Sequence, residues 1–273
     1  MSQRWLPMLI AVLCFGALLA GAAMAPEHMS PLNTELAYAG PGELPPFGGD
    51  ARGRPLLEYA TQGASVVVWP ALAAGLLVSL LGTAGGLLRS AGLSGADTVI
   101  RALGEVVGSL PRMVVILVVA LVVPRDAKSL MPLALTWALL ASPGAMDEAA
   151  AVAERLGGAR FVEALRAHGY SAVRIYLYHI VALNLRPVVV RQGAETMMQV
   201  VFLEIALSYL ALAQREPSFT HPDGVVSWAD LLKMGYVAVV LDMPTMHALL
   251  LALGLIGLVA VMTLSISRAA RAR

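Results

Sequence analysis

Charge is scarce in this sequence. Of 273 residues, 14% are Asp, Glu, Lys or Arg, against about 25% in an ordinary soluble domain. With a mean hydropathy of +0.75, the chain cannot cover a water-facing globule. The single cysteine, Cys14, excludes an intramolecular disulfide and any Cys-x-x-Cys site. A net charge of +1 provides no basic footprint for nucleic acid. No G-x-x-x-x-G-K-[ST] occurs, and the glycine-rich "GTAGG" at 82–86 runs into Leu87 rather than Lys. The cradle and lysine that hold nucleotide phosphates are therefore missing, and ATP hydrolysis of the P-loop kind is not this chain's work. The five histidines share no metal-ligand spacing, so no metal site is expected. Nor do Ser, His and Asp fall into an arrangement that suggests an enzyme. Low-complexity tracts and short repeats are also lacking.

What the chain has is apolar runs of about 20 residues, enough to cross a bilayer. They predict an all-α polytopic membrane protein with six transmembrane helices, at about 5–25, 64–88, 98–123, 129–145, 185–212 and 246–267. The first could be a signal peptide ending at Ala23-Met24-Ala25, but its apolar run exceeds the 7–15 residues or so of a signal core, so an uncleaved span is expected over 1–25. Residues 26–63 read as an ordered external segment and 64–273 as the core, with an outer loop at 213–245. Lys and Arg are denser beside one set of span ends, which places both termini and the polar stretch 146–180 in the cytoplasm. Glycines at 82–86 favour close helix packing. Pro111 is expected to kink the third span, and Asp97 to cap its start.

The polar stretch contains "FVEALRAHGY", residues 161–170. Phe161, Val162 and Leu165 share one helical face, with Arg160, Glu163 and Arg166 on the others. Gly169 permits a reversal that residues with a Cβ resist. Ser171 can cap a second helix over 172–180. A short amphipathic helix, a glycine corner and a second helix follow. By physics alone, such a helix suits a lipid surface or a partner's groove equally well.

"FVEALRAHGYSAVRIYLYHI" resembles the EAA loop of binding-protein-dependent ABC importer permeases, with Glu163, Ala164, Gly169 and Ile180 in order. More narrowly, the chain resembles the C-type permease of dipeptide, oligopeptide and nickel importers. "PPFGGDARGRPLLEYATQGAS" (45–65) is similar to that family's external segment before its second span. "GADTVIRALGEVVGSLPRMVVILVVAL" (95–121) and "FLEIALSYLALAQREPS…VSWADLL" (202–232) are similar to its third-span and fifth-span signatures. The resemblance implies half of a translocation pathway for a peptide or similar solute in a bacterial inner membrane. It implies a second permease subunit, two ATPase subunits that carry ATP and Mg, and a periplasmic solute-binding protein. It makes Phe161, Val162, Glu163, Ala164, Leu165 and Gly169 the ATPase-coupling residues. No cofactor is expected in this chain itself.

The sequence departs from that pattern at several places. Leu165 replaces the second alanine of the EAA motif, His168 a leucine, Ala182 a proline, and Ala211-Leu212-Ala213 a Gly-Leu-Gly. A membrane scaffold that docks an ATPase without transporting is therefore an alternative. Charges inside the spans support a third reading. Arg101 and Glu105 are four residues apart, as are Arg191 and Glu195, so each pair can meet on a helix face. They suit structural ion pairs, a solute pathway or the coupling groups of an ion-driven transporter. Glu204 coincides with a glutamate of the resembled family near the outer end of the fifth span; the resemblance implies a brace for an external gate, and a structural hydrogen bond is the alternative.

Overall fold

The computed structural model describes residues 2–90, 94–123, 129–157, 160–171, 174–210, 226–241 and 246–271. Among these the regular structure is helical, without a β-strand; one isolated bridge joins Gly49 and Pro55. Among the described residues, three helices are long and apolar enough to cross a membrane: Trp5–Ala23, Leu56–Arg89 and Met246–Ala270. A bent pair of helices adds a fourth if taken as one span. Of the six expected spans, three or four qualify by length and composition among the described residues. Two further long helices, over 130–157 and 186–209, carry prolines and charges that dilute their apolar character.

Helix α1 (Ser2–Ala23) lies against the others along a narrow stripe of Cys14, Leu18 and Ala22, all buried. Trp5, Leu9 and Leu13 face outward. The segment that follows is ordered without being regular. The Asp50 carboxylate accepts the backbone N–H groups of Arg52 and Arg54 at 2.8 Å and the Tyr59 hydroxyl at 2.6 Å. One buried acid therefore gathers the loop onto the next helix. Gly53 turns there with φ +73°, and a Cβ would fall 1.8 Å from the Asn33 carbonyl oxygen.

Helix α2 (Leu56–Ser90) begins eight residues before the expected span. Its first two turns read as loop because they are polar, but they bury against the far end of the chain. Trp228, fully buried, donates its indole N–H to the Ala60 carbonyl at 3.0 Å. Gln62 accepts the Val226 N–H at 3.2 Å. Gly63 lies under the Trp228 ring, where a Cβ would meet Cδ1 at 2.4 Å.

The third expected span is two helices, α3 (Ser94–Ser109) and α4 (Arg112–Val122), bent by 79°. Pro111 has no N–H to continue the ladder, so the kink foreseen at that residue is a full break. Helix α5 (Leu130–Gly157) continues well past residue 145, where a loop was expected. Ala149, Ala150 and Ala153 are strong helix formers and all are buried. Against it, α2 places Gly82, Gly85 and Gly86; a Cβ on Gly86 would sit 2.5 Å from the Ala149 Cβ and 2.9 Å from the Ala150 nitrogen. The expectation of close packing at 82–86 holds.

A short helix, α6 (Arg160–Ala167), precedes a π-helical stretch, Ile175–Leu185, which runs directly into α7 (Arg186–Tyr209). The expected second helix over 172–180 and fifth span are thus one rod from residue 174 onward. Pro187 stands at the start of its α portion, where the missing N–H is tolerated. Gly75 and Gly193 let α2 and α7 cross closely: a Cβ on Gly75 would come within 2.8 Å of the Gly193 oxygen. Helix α8 (Trp228–Val240) lies inside what was expected to be an outer loop at 213–245. Asp230 accepts the N–H of Ser227 at 2.8 Å and starts that helix. Residues 211–225, including the Ala211-Leu212-Ala213 step, lie outside the described residues. Helix α9 (Met246–Arg271) closes the bundle against α1 and α8.

Gly86→Ala forces a Cβ into the α2–α5 seam and is expected to cost about 1–3 kcal/mol. Gly108→Ala enters open space and is expected to leave stability unchanged or slightly raised. Thermal unfolding of the two variants in detergent checks the contrast.

Candidate functional site

Two sets of residues were expected to matter: the corner around Gly169 and the ionisable groups within the spans. The corner forms as expected. Val162 anchors α6 with its side chain 1% exposed, and Leu165 is half-buried beside it. The side chain of Phe161 lies outside the described residues. Glu163, Ala164, Arg166 and His168 face outward. The helix ends with Gly169 at φ +79°. Its N–H donates to the Arg166 carbonyl at 2.9 Å, and the N–H of Tyr170 reaches back to Leu165 at 3.1 Å. This is a Schellman termination. A Cβ on Gly169 would meet nothing within 4 Å, so the left-handed backbone, not crowding, calls for glycine.

Ser171 then caps the next element, its hydroxyl oxygen accepting the Arg174 N–H at 3.3 Å. The Arg174 guanidinium lies 4.8 Å from the centre of the Tyr170 ring, and Tyr170 meets His179 edge-on at 6.0 Å. These side chains brace the corner. Sequence patterning singled out none of them, because aromatic-cation contacts across a turn have no fixed spacing. The legs of the corner also touch each other. Ala149 and Ala153 of α5 are buried in one cluster with Ile180 and Leu185 of the π-helical stretch.

One expected ion pair forms and the other does not. Arg191 donates through Nη1 to Glu195 at 2.9 Å, as the spacing predicts. Arg101 turns instead to Asp97, one turn earlier, at 2.9 Å. Glu105 is exposed. Both acids are within reach of Arg101 along the helix; Asp97 is the one that a second cation, Arg89 of α2, also engages at 2.9 Å. The expected capping role of Asp97 thus gives way to two ion pairs.

The partners missed from sequence are Arg89, Asp147, Glu148 and Gln192. Asp147 pairs with Arg89 and Glu148 with Arg191, while Gln192 donates to Glu148 at 2.6 Å. Adjacent carboxylates thus tie α5 in two directions, towards α2 and α3 and towards α7. The available signal was two consecutive acids at the end of an apolar run, which the polar stretch after them disguised.

Glu204 lies 13 residues further along α7, about 20 Å away by helical rise. It is fully buried, and Ser208 donates to its Oε1 at 2.8 Å. Its Oε2 has no hydrogen-bond partner among the described residues. The structure therefore gathers the polar groups at two levels, a charged belt above the Gly169 corner and the buried Glu204, with Ser208, Asp230 and Lys233 near it, beside the Trp228 end. No protein-family model matches the chain, and no curated protein matches it.

Glu148→Ala leaves Gln192 without its acceptor and Arg191 with one carboxylate instead of two. It is expected to destabilise the fold by about 1–3 kcal/mol. Glu105→Ala, at an exposed site, is expected to stay within about 0.5 kcal/mol. Denaturation midpoints of the two variants check this order, which reverses if Arg101 depends on Glu105.

Proposed function

We propose that the chain is the transmembrane permease subunit of an ATP-binding-cassette importer, supplying half of the pathway for a peptide or similar small solute. The observation that carries the reading is the corner at Gly169. A short helix anchored by Val162 leaves Glu163, Ala164 and Arg166 outward, between two long helices packed to each other through Ala149, Ala153, Ile180 and Leu185. A force applied to α6 would reach both helices at once. An amphipathic helix presented in this way suits a groove in a partner, and the four resemblances to the permease family support an ATPase as that partner.

In this reading the membrane is a bacterial inner membrane and both termini are cytoplasmic. Two such subunits pair, most simply as a heterodimer, and each α6 seats in one of two ATPase subunits that hold ATP and Mg. Glu163 and the Gly169 corner transmit closure of the ATPases to α5 and α7. A periplasmic solute-binding protein delivers the solute at the face that carries residues 26–55. Glu204, near that face, braces the outer end of α7. Arg191 and Glu195 serve the belt that joins α5 to α7. A scaffold that docks the ATPase without transport would keep this contact but ignore the solute-binding protein, and an ion-driven transporter would need no ATPase.

Glu163→Lys reverses a charge at the docking face without touching the packed side chains. It is expected to reduce recovery of the copurifying ATPase at least about tenfold, with the permease still folded. Retention of the ATPase at the wild-type level overturns the placement of the joint. Uptake that persists without ATP and follows a proton or sodium gradient overturns the importer reading itself.

A further inference from the structure

Helix α3 is attached to its neighbours quite differently from the rest of the bundle. The α2–α5 seam is so close that added Cβ atoms would sit 2.5–3.0 Å from facing atoms at Gly82, Gly85 and Gly86. Where α3 passes α5, a Cβ on Gly104 would meet Pro143 at 3.4 Å, an ordinary contact. Val107 joins an apolar cluster with Ile116, Leu140 and Leu203. Val99, Leu103, Val106 and Leu110 are 45–63% exposed. At one end the helix stops at the 79° break before α4. At the other it follows α2 after only three residues, since α2 ends at Ser90 and α3 begins at Ser94, and Arg89 binds Asp97 at 2.9 Å.

That ionic contact is unusual because each partner has a second one. Arg89 also pairs with Asp147 of α5, and Asp97 also pairs with Arg101 of its own helix. Opening a buried ion pair is normally costly because it strands a charge, and Arg89 is buried, its side chain 6% exposed. Here neither charge is stranded. Separation leaves Arg89 with Asp147 and Asp97 with Arg101. Arg101 already engages both oxygens of Asp97, its Nε lying 2.9 Å from Oδ1 and from Oδ2, while the Nε of Arg89 reaches Oδ1 alone at 2.9 Å.

We propose that the Arg89–Asp97 contact is a releasable latch, and that α3 is a gate that rocks on the break at Pro111 away from α5, its Asp97 end staying joined to α2. Arg89 and Asp97 hold the closed position; Arg101 and Asp147 receive the separated charges and keep the open position accessible. Few-residue breaks at element ends absorb such motions, and a two-position element is what makes a small displacement switch-like. The latch stands on this geometry alone and does not require an ATPase. In an importer, α3 would be the moving wall.

The test uses the full-length chain in lipid nanodiscs with Cys14→Ala, and reads the rate at which N-ethylmaleimide alkylates Val107→Cys, which lies on the α5 side of α3. Arg89→Gln is expected to raise that rate about tenfold. Arg101→Ala removes the partner that receives Asp97 when the latch opens, and is expected to lower it about threefold. An unchanged rate with Arg89→Gln overturns the latch. So does a rate raised by Arg101→Ala, which is what a simple additive brace gives. Native Cys14, buried against the bundle, stays unreactive in a chain that keeps it and lacks the Val107→Cys change if the bundle is intact. Should Arg89→Gln fail that control, Asp97→Asn replaces it, since Arg89 then keeps Asp147, and the same rise is required.

Discussion

Close backbone approach along α2 is the constraint from which the rest of the molecule takes its shape. Gly75 meets Gly193 of α7, and Gly82, Gly85 and Gly86 meet Ala145, Met146, Ala149 and Ala150 of α5. In a lipid solvent, apolar side chains gain little by leaving one neighbour for another, so contact between small residues decides which helices associate. Three helices locked in this way fix the positions of Arg89, Asp147, Glu148 and Arg191 relative to one another. The charged belt can form only because the backbones are this near. Helices α1 and α9 add an outer layer around the same axis through Cys14, Leu18, Met262 and their neighbours.

The second organising feature is continuity. Helix α5 carries its two acids in the belt and then proceeds about 15 Å by helical rise to the start of the Gly169 corner. From there the chain returns through a π-helical stretch into α7 without an interruption at Pro187. The corner and the belt therefore lie on the same two rods. Unusual winding of this kind tends to occur where function uses it, and here it lies next to the turn that the proposed function places against a partner.

The sequence was most informative where one local cause acts alone. The apolar runs of α1, α2 and α9 are decided by composition, and the Gly169 turn by a residue that accepts positive φ. Elsewhere a tertiary partner made the decision. The first turns of α2 are polar and read as loop, yet Trp228, more than 160 positions away, buries them. Residues 228–240 were expected to be loop for lack of a span-length apolar run, but thirteen residues suffice for a helix that begins at that same buried tryptophan. Arg101 had acids at equal spacing on either side, and the position of Arg89, unknowable from periodicity, selected Asp97. The break at Pro111 was foreseen at the right residue, though as a kink, because a proline's effect depends on whether the next turn has anything to pack on.

That break has a consequence for the surroundings of the molecule. Neither α3, with 16 residues, nor α4, with 11, reaches across about 30 Å of hydrocarbon at 1.5 Å per residue. A helix end leaves carbonyl groups without intrahelical donors, and Ser109 already lends its hydroxyl to the Val106 carbonyl at 2.8 Å. Acyl chains have nothing to offer such oxygens. If this pair crosses a bilayer, the elbow must therefore face protein or a wetted crevice, which marks one side of the bundle as closed to lipid.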